Sequence, residues 1–145
     1  MERMWRRVCR EAGGRVHKTG FMRDMNFGAV LPTDNRRFEC LVDGLPFRHG
    51  AQVPVDCTLV SPLKRNGEAC PRAHREKGAA LADAVKRKHR RYPELARSTR
   101  CALIVADKEI GGRWGKRQWT FCKYWQRAGL TRHQFCFEAA PTLLG

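Results

Sequence analysis

Two apolar segments that lie close together in the sequence constrain the fold of this chain most strongly. Residues 38–43 (FECLVD) and residues 52–60 (QVPVDCTLV) are rich in apolar side chains and are bounded by turn-forming residues, which is typical of β-strands. Because the connection between them is short, they are expected to pair as a hairpin. Pro54 lacks the N–H that a strand ladder needs, so it indicates an edge strand or a bulge.

The remaining segments predict helices and one further strand around this hairpin. Apolar side chains recur at helical spacing in three segments, and a fourth segment has the composition of a buried strand. The predicted elements are helices at residues 1–12, 73–92 and 114–128, and a strand at residues 101–110. This order of helices and strands predicts an α/β fold with a mixed sheet flanked by helices.

The length and the cysteine usage indicate one intracellular domain. A chain of 145 residues favours a single domain, which is assigned to residues 1–128, with a tail of unclear structure at residues 129–145. The seven cysteines are scattered and include no CxxC pair, which argues against a compact zinc site and a secreted disulfide framework. The N-terminus lacks the apolar segment of a secretory signal. The basic run KRKHRR has the composition of a nuclear localisation signal.

A large excess of basic residues limits the class of partner. Lys and Arg number 29 against 14 Asp and Glu, for a formal net charge of +15. Such an excess favours a polyanionic partner, most often a nucleic acid: DNA, with RNA as the alternative. The sequence has no apolar run long enough to span a membrane, so no membrane partner is predicted. The oligomeric state is left open by the sequence.

Three acidic residues in the strand segments are candidates for metal binding. Strand alternation places Glu39 and Asp43 on one face of the first strand, and Asp56 lies in the middle of the second. A carboxylate inside an apolar strand is costly to desolvate unless another group compensates. A bound Mg²⁺ is one compensation. An arginine partner, or exposure at a sheet edge, is the alternative for Asp56.

The basic run in AVKRKHRRYPEL divides into two sets when it is placed on a helical wheel. With Leu81 at zero and about 100° per residue, Lys88 and Tyr92 fall within the apolar stripe that should pack on the sheet. Lys88 therefore needs an acidic partner, unless it snorkels at the edge of the stripe. The remaining basic residues point outward, toward either phosphate or plain solvent. They are Lys86, Arg87, Arg90 and Arg91.

These segments together resemble a known family. The stretches RRFECLVDGLPFRHGAQVPVDCTLVSPL and ADAVKRKHRRYPEL, followed by EIGGRWG, are similar to the restriction-enzyme-like endonuclease domain at the C-terminus of site-specific non-LTR retrotransposons, in protist-type copies. That domain belongs to the PD-(D/E)XK nuclease superfamily. The resemblance covers residues 8–128 and implies the restriction-endonuclease-like αβββαβ core.

The resemblance also implies roles for particular residues. Asp43 and Asp56 would be the two acidic ligands of Mg²⁺, or of Mn²⁺. The lysine that many members carry two residues after the second acid is replaced here by Thr58. In the retrotransposon branch the lysine comes from the following helix with a tyrosine after it, so Lys88 and Tyr92 would be the catalytic pair. The chain departs from the Pro-Asp signature, because Val42 precedes Asp43.

The expected function is therefore a metal-dependent DNA endonuclease that nicks its target by phosphodiester hydrolysis. Glu39 would be a third metal ligand or would support the other two. A group of basic residues would contact the DNA backbone. They are Arg36, Arg37, Lys86, Arg87, Arg90 and Arg91. The alternative is a non-catalytic basic nucleic-acid-binding module of the same fold, or a degenerate fragment of the element.

Overall fold

The hairpin predicted from the sequence forms the centre of the protein. The computed structural model describes residues 1–17, 20–25, 30–45, 51–98, 101, 103–116, 118 and 129. Its helices and strands are, in chain order, α1 (Glu2–Glu11), β1 (Arg15–His17), β2 (Gly20–Phe21), a short 3-10 helix (Met22–Asp24), β3 (Arg37–Phe38), β4 (Cys40–Asp43), β5 (Val53–Val60), α2 (Ala79–Arg91), α3 (Pro93–Arg97) and β6 (Ile104–Glu109). In the hairpin, β4 and β5 are antiparallel and Cys40 lies opposite Val55.

The main sheet has four strands in the order β1-β4-β5-β6. β1 is antiparallel to β4, whereas β6 is parallel to β5 and is reached through α2 and α3. The predicted α/β class with a mixed sheet is therefore confirmed. The position expected for Pro54 is wrong, because β5 is flanked by β4 and β6 rather than lying at an edge. Pro54 fits there since the ladder with β6 begins one residue later, at Val55.

The first predicted strand is divided between two sheets. β2 and β3 form a separate two-stranded antiparallel sheet, in which Phe38 lies opposite Gly20. β4 begins at Cys40 and belongs to the main sheet. The chain therefore bends at Glu39, between β3 and β4. The prediction of one continuous strand over residues 38–43 is therefore wrong at Glu39.

Helices cover both faces of the main sheet. On one face, Trp5 and Cys9 of α1 pack with Val42 and Val55 in a buried cluster. On the other face, Leu81 and further residues of α2 pack with the end of β5, and a second cluster joins α3 to β4 and β6. Amphipathic packing of α1 and α2 on opposite faces gives the layered arrangement that an α/β sequence pattern predicts.

Two element boundaries differ from the prediction for local reasons. α2 begins at Ala79 rather than near residue 73, because Gly78 adopts a left-handed conformation with φ of 83°, which a continuous helix does not tolerate. Its end is as predicted: α2 stops at Arg91, and Pro93 starts α3. Trp114 forms an isolated bridge with Lys108 rather than starting a helix. Most of the predicted helix at residues 114–128, and all of the tail except Gly129, lie outside the described residues.

Several buried side chains agree with the predicted core. Cys40 and Cys101 are buried thiols and Cys57 is half-buried, as expected for cysteines in apolar segments. Within the part of the chain that the structure describes, none of the helices has the length and apolar character needed to cross a membrane.

Candidate active site

An ion pair between α2 and β5 lies at the centre of the candidate site. Lys88 Nζ donates a hydrogen bond to Asp56 Oδ1 over 2.8 Å. The Asp56 side chain is only 3% exposed, and that of Lys88 is 21% exposed. The helical phase of α2 points Lys88 at the sheet, as the wheel predicted, and the acidic partner that an inward lysine needs is Asp56. The pairing is confirmed.

A second carboxylate, that of Glu39, stands beside Asp56. The antiparallel register places Cys40 opposite Val55, so Glu39 and Asp56, one residue further on each chain segment, face each other. Glu39 Oε2 accepts a hydrogen bond from the Cys57 N–H over 2.9 Å, which fixes the carboxylate against β5. Burial, followed by the close approach of the Asp56 carboxylate, raises the pKa of Glu39. Two carboxylates and one ammonium group therefore share a half-buried space.

One oxygen of this carboxylate pair lacks a donor. Asp56 Oδ2 is buried and has no hydrogen-bond partner in the described part of the chain. An ionised Glu39 beside it can only accept, so it offers Asp56 no donor. A buried carboxylate oxygen is costly in this state. The cost can be relieved by a proton shared between the two carboxylates or by a cation bound to both.

The carboxylate pair fits a magnesium-type ion better than a transition metal. No group of three or more His, Cys, Asp or Glu side chains that could hold a metal ion occurs among the described residues. Mg²⁺ is usually held by one or two carboxylates and keeps several of its waters. Glu39 and Asp56 supply two facing carboxylates and no nitrogen or sulfur ligand. This set of ligands matches the one that Mg²⁺ usually has in proteins.

Asp43 lies apart from this pair, contrary to the predicted shared metal site. Val42 pairs with Val53, so Asp43 lies at the other end of the β4–β5 ladder from Asp56, four residues or about 13 Å along β5. Asp43 Oδ2 is 2.7 Å from His17 Nε2 and 3.3 Å from an Arg15 guanidinium nitrogen, both on β1. Two carboxylates at this separation cannot share an ion that binds oxygen at about 2.0–2.6 Å. The pairing register therefore argues against the predicted assignment of Asp43 and Asp56 to one metal ion.

The interactions of Asp43 identify it as an ion-pair partner of β1. Burial alone would raise the pKa of Asp43. Its contacts with His17, Gln52 and Arg15 outweigh burial and hold that pKa below its ordinary value. Asp43 is thus kept ionised by neighbours within the protein, and it stabilises the pairing of β1 with β4.

An arginine on the opposite side of the sheet holds the bend that presents Glu39. Arg6 of α1 donates from Nη2 to the Glu39 carbonyl oxygen over 2.9 Å, and it also pairs with Glu2 on its own helix. The Arg6 side chain is only 20% exposed. Because this contact spans 33 residues of sequence and two layers, no pattern in the sequence indicated it.

Tyr92 anchors the end of α2 next to the site. It is fully buried, its hydroxyl donates to the Arg37 carbonyl oxygen over 2.9 Å, and its ring centroid is 4.8 Å from that of Phe38. Burial and the charge of Asp56 raise the pKa of Tyr92 to about 12. The predicted inward direction of Tyr92 is confirmed. Its contacts support a positioning function, since the hydroxyl is bound to β3 rather than to either carboxylate.

Thr58 lines the same sheet face as Asp56, two residues further along β5. It is half-buried and pairs in register with Asp107 of β6, which is buried. The Asp107 carboxylate lies directly against Gly115, where an added Cβ would meet Asp107 Oδ1 at 2.0 Å. The sequence analysis did not single out Asp107, because its segment was read only as a buried strand.

The outward basic residues of α2 lie where the wheel placed them. All four are exposed, and no carboxylate of the described residues forms an ion pair with any of them. They are Lys86, Arg87, Arg90 and Arg91. Arg37 on β3 is exposed as well. Their assignment as contacts to a nucleic-acid backbone stays a prediction.

Arg36, grouped with them in the sequence, has a different environment. Its guanidinium is 2.6 Å from Asp34 Oδ2 and 2.8 Å from Glu94 Oε1, and it also donates to the Arg91 carbonyl oxygen. These contacts tie the segment before β3 to α3. Two carboxylates neutralise the charge of Arg36, which favours a structural role over the predicted contact with phosphate.

Replacing Arg36 with Met should lower the free energy of unfolding by about 1 kcal/mol at pH 7, because solvent screens this partly exposed network. Hydrogen bonding to Arg36 lowers the pKa of both Asp34 and Glu94. A carboxyl group whose pKa is lowered in the folded protein stabilises the fold when the pH is above the pKa of that group in the unfolded chain. This stabilisation is lost as the pH falls toward the lowered pKa. The difference between the two proteins should therefore be constant from pH 7 to about pH 5 and shrink toward pH 3.

Urea unfolding at several pH values measures this difference, with Arg37→Met as the matched control on the adjacent exposed arginine. The control should unfold like the wild-type protein at each pH. A loss for Arg36→Met that is independent of pH would contradict the proposed pairing.

No family model, curated protein or solved structure matches this chain.

Proposed function

We propose that this protein is a metal-dependent endonuclease that hydrolyses phosphodiester bonds of DNA, with Glu39 and Asp56 as the ligands of Mg²⁺ or Mn²⁺. The observation that carries the proposal is the pair of facing carboxylates, buried Asp56 and half-buried Glu39. One oxygen of Asp56 has no hydrogen-bond partner among the described residues, and the ammonium group of Lys88 lies 2.8 Å from the other. Relative to the expectation from the sequence, Glu39 takes the place of Asp43 as the first acid.

The order of elements supports the proposal. The main sheet and the two longer helices follow the order α1-β1-β4-β5-α2-β6 along the chain. With β2, β3 and α3 left aside, this order is compatible with the αβββαβ core that the resemblance to restriction-enzyme-like endonucleases implies. In that arrangement the first acid follows a strand, a hairpin leads to the second acid, and the lysine comes from the next helix. Asp56 and Lys88 match these places, whereas Glu39 lies just before β4.

Each residue of the site has a chemical role in this proposal. A bound divalent cation supplies charge neutralisation and an activated water. Glu39 and Asp56 hold that cation, and their fixed positions come from the Cys57 N–H and from Lys88. The Lys88 ammonium, which is partly exposed, stabilises negative charge that develops on the phosphate. Tyr92 keeps Lys88 in place by securing the last turn of α2 to β3.

Nicking of supercoiled plasmid DNA tests the proposal. We expect relaxed circles to accumulate in Mg²⁺ or Mn²⁺ and none in EDTA. Isothermal titration with Mn²⁺ should show one site on the wild-type protein and none after Glu39→Gln combined with Asp56→Asn. Absence of nicking by the wild-type protein in both Mg²⁺ and Mn²⁺ would overturn the proposal, whether or not Mn²⁺ binds.

Arg6→Met should weaken Mn²⁺ binding by about 10- to 100-fold, the range found when a group that orients a metal ligand is lost. The loss is expected because Arg6 holds the bend at Glu39 through its carbonyl oxygen. Titration calorimetry well below the unfolding temperature measures the affinity. The matched control is Arg7→Met, which removes an adjacent arginine that pairs with Glu11 on the same helix. Equal affinity in both variants would contradict the positioning role.

A non-catalytic nucleic-acid-binding module is the second candidate. It is favoured by the Lys88–Asp56 ion pair, which neutralises one carboxylate without any metal. Under this alternative the protein binds DNA with a strong dependence on salt, and neither Mg²⁺ nor Mn²⁺ produces nicks.

A further inference from the structure

A short hairpin arm extends from the end of β5, the strand that carries Asp56. This arm, residues 61–70, contains an antiparallel bridge between Leu63 and Ala69. The Lys64 N–H donates to the Glu68 carbonyl oxygen over 2.7 Å, and Gly67 closes the turn with φ of 83°. The arm is therefore held in a defined conformation by its own hydrogen bonds. At its tip, Arg65 is exposed to solvent.

The segment from this arm to the end of α2 carries a concentrated positive charge. Residues 61–92 contain ten basic residues and three acidic ones. All three acids are already in ion pairs, Glu68 with Lys64 and both Glu76 and Asp83 with Arg72. Lys88 pairs with Asp56. Seven basic residues therefore have no ion-pair partner among the described residues. They are Arg65, Arg75, Lys77, Lys86, Arg87, Arg90 and Arg91.

Several of these unpaired charges stand in positions that cost stability. Lys86 and Arg90, and likewise Arg87 and Arg91, are like charges four residues apart on one helix, an arrangement that is mildly destabilising. Arg75 and Lys77 precede the N-terminus of α2, where the helix dipole disfavours cations, and the first turn of α2 has no acidic residue. A bound polyanion would remove both penalties.

We infer that the arm and the turn after it, residues 61–78, form a contact surface for the phosphate backbone of duplex DNA, separate from the outer face of α2. The inference deepens the proposed function by naming a partner for this segment. Val60, where the arm leaves the sheet, is four residues beyond Asp56, or about 13 Å.

The test compares two double variants that each remove two exposed charges. Arg65→Gln with Lys77→Gln changes the proposed surface. Arg3→Gln with Arg10→Gln changes α1, which packs on the opposite face of the sheet. Binding of a fluorescent DNA duplex is followed by anisotropy in EDTA at several salt concentrations. Each phosphate contact that is lost should reduce the slope of log K against log salt by about 0.9.

We expect the arm variant to bind more weakly, with a slope reduced by about 1.8, and the α1 variant to bind like the wild-type protein. Equal losses in both variants would show that net charge alone governs binding, and would overturn the inference. A loss that occurs on phosphatidylserine vesicles but not on DNA would also overturn it. If the slopes are as expected but no nicking occurs in Mg²⁺, the arm is established as a DNA-binding surface and the proposed nuclease activity is rejected.

Discussion

Asp56→Asn should reduce Mg²⁺-dependent plasmid nicking by about 10²- to 10³-fold, whereas Asp43→Asn should leave it within about twofold of wild type. Both substitutions remove one carboxylate charge from the same face of the same sheet. Only Asp56 stands beside Glu39 and Lys88, and Asp43 is bound to His17 and Arg15 on β1. The comparison therefore separates the site that the register defines from the one that the sequence suggested.

Glu39→Gln should behave like Asp56→Asn, because both carboxylates are required for one cation. Initial rates of nicking are measured at saturating Mg²⁺, and circular dichroism verifies that each variant is folded. The assignment would be rejected if Asp43→Asn abolished nicking and Glu39→Gln did not.

Lys88→Met should lower the free energy of unfolding by about 2–3 kcal/mol in metal-free buffer. This is less than the loss of about 3–5 kcal/mol expected when a fully buried ion pair is broken, because Lys88 is partly exposed. The substitution leaves Asp56, with a side chain only 3% exposed, without the cation that pairs with it among the described residues. The matched control is Lys86→Met on the outer face of the same helix, which should cost less than about 0.5 kcal/mol. Urea unfolding in EDTA measures both.

A double-mutant cycle with Asp56→Asn isolates the ion pair from the packing of the Lys88 side chain. In the Asp56→Asn background, Lys88→Met should cost less than it does alone, because no buried charge is left behind. We expect a coupling of about 1–3 kcal/mol between the two positions. Additive losses would show that Lys88 and Asp56 do not interact in solution.

Local periodicity was sufficient to predict which way the residues of α2 point. The rotation of about 100° per residue set Lys88 and Tyr92 inward and Lys86 outward, and tertiary packing did not change this phase. The hairpin was predicted for a similar reason, since two apolar strands separated by a short loop have few other ways to pair.

Register could not be predicted from alternation. Alternation gives the face of a side chain, so Glu39 and Asp43 were both placed correctly on one face. The position along the strand depends on how β4 and β5 pair, and that brings Glu39, not Asp43, opposite Asp56. The contacts of Arg6 with Glu39 and of Arg36 with Glu94 likewise could not be predicted from the sequence, because these partners lie in distant segments of the chain.

The hydrogen bond from the Tyr92 hydroxyl to the Arg37 carbonyl oxygen joins two segments that are 55 residues apart. Arg37 is two residues before Glu39, and Tyr92 is four residues after Lys88, so the bond closes a ring of covalent and non-covalent links around the carboxylates. Opening either the last turn of α2 or the segment before β4 breaks this bond, so the two openings are energetically coupled. Loss of order at the helix end is therefore felt at the bend that presents Glu39, and the reverse.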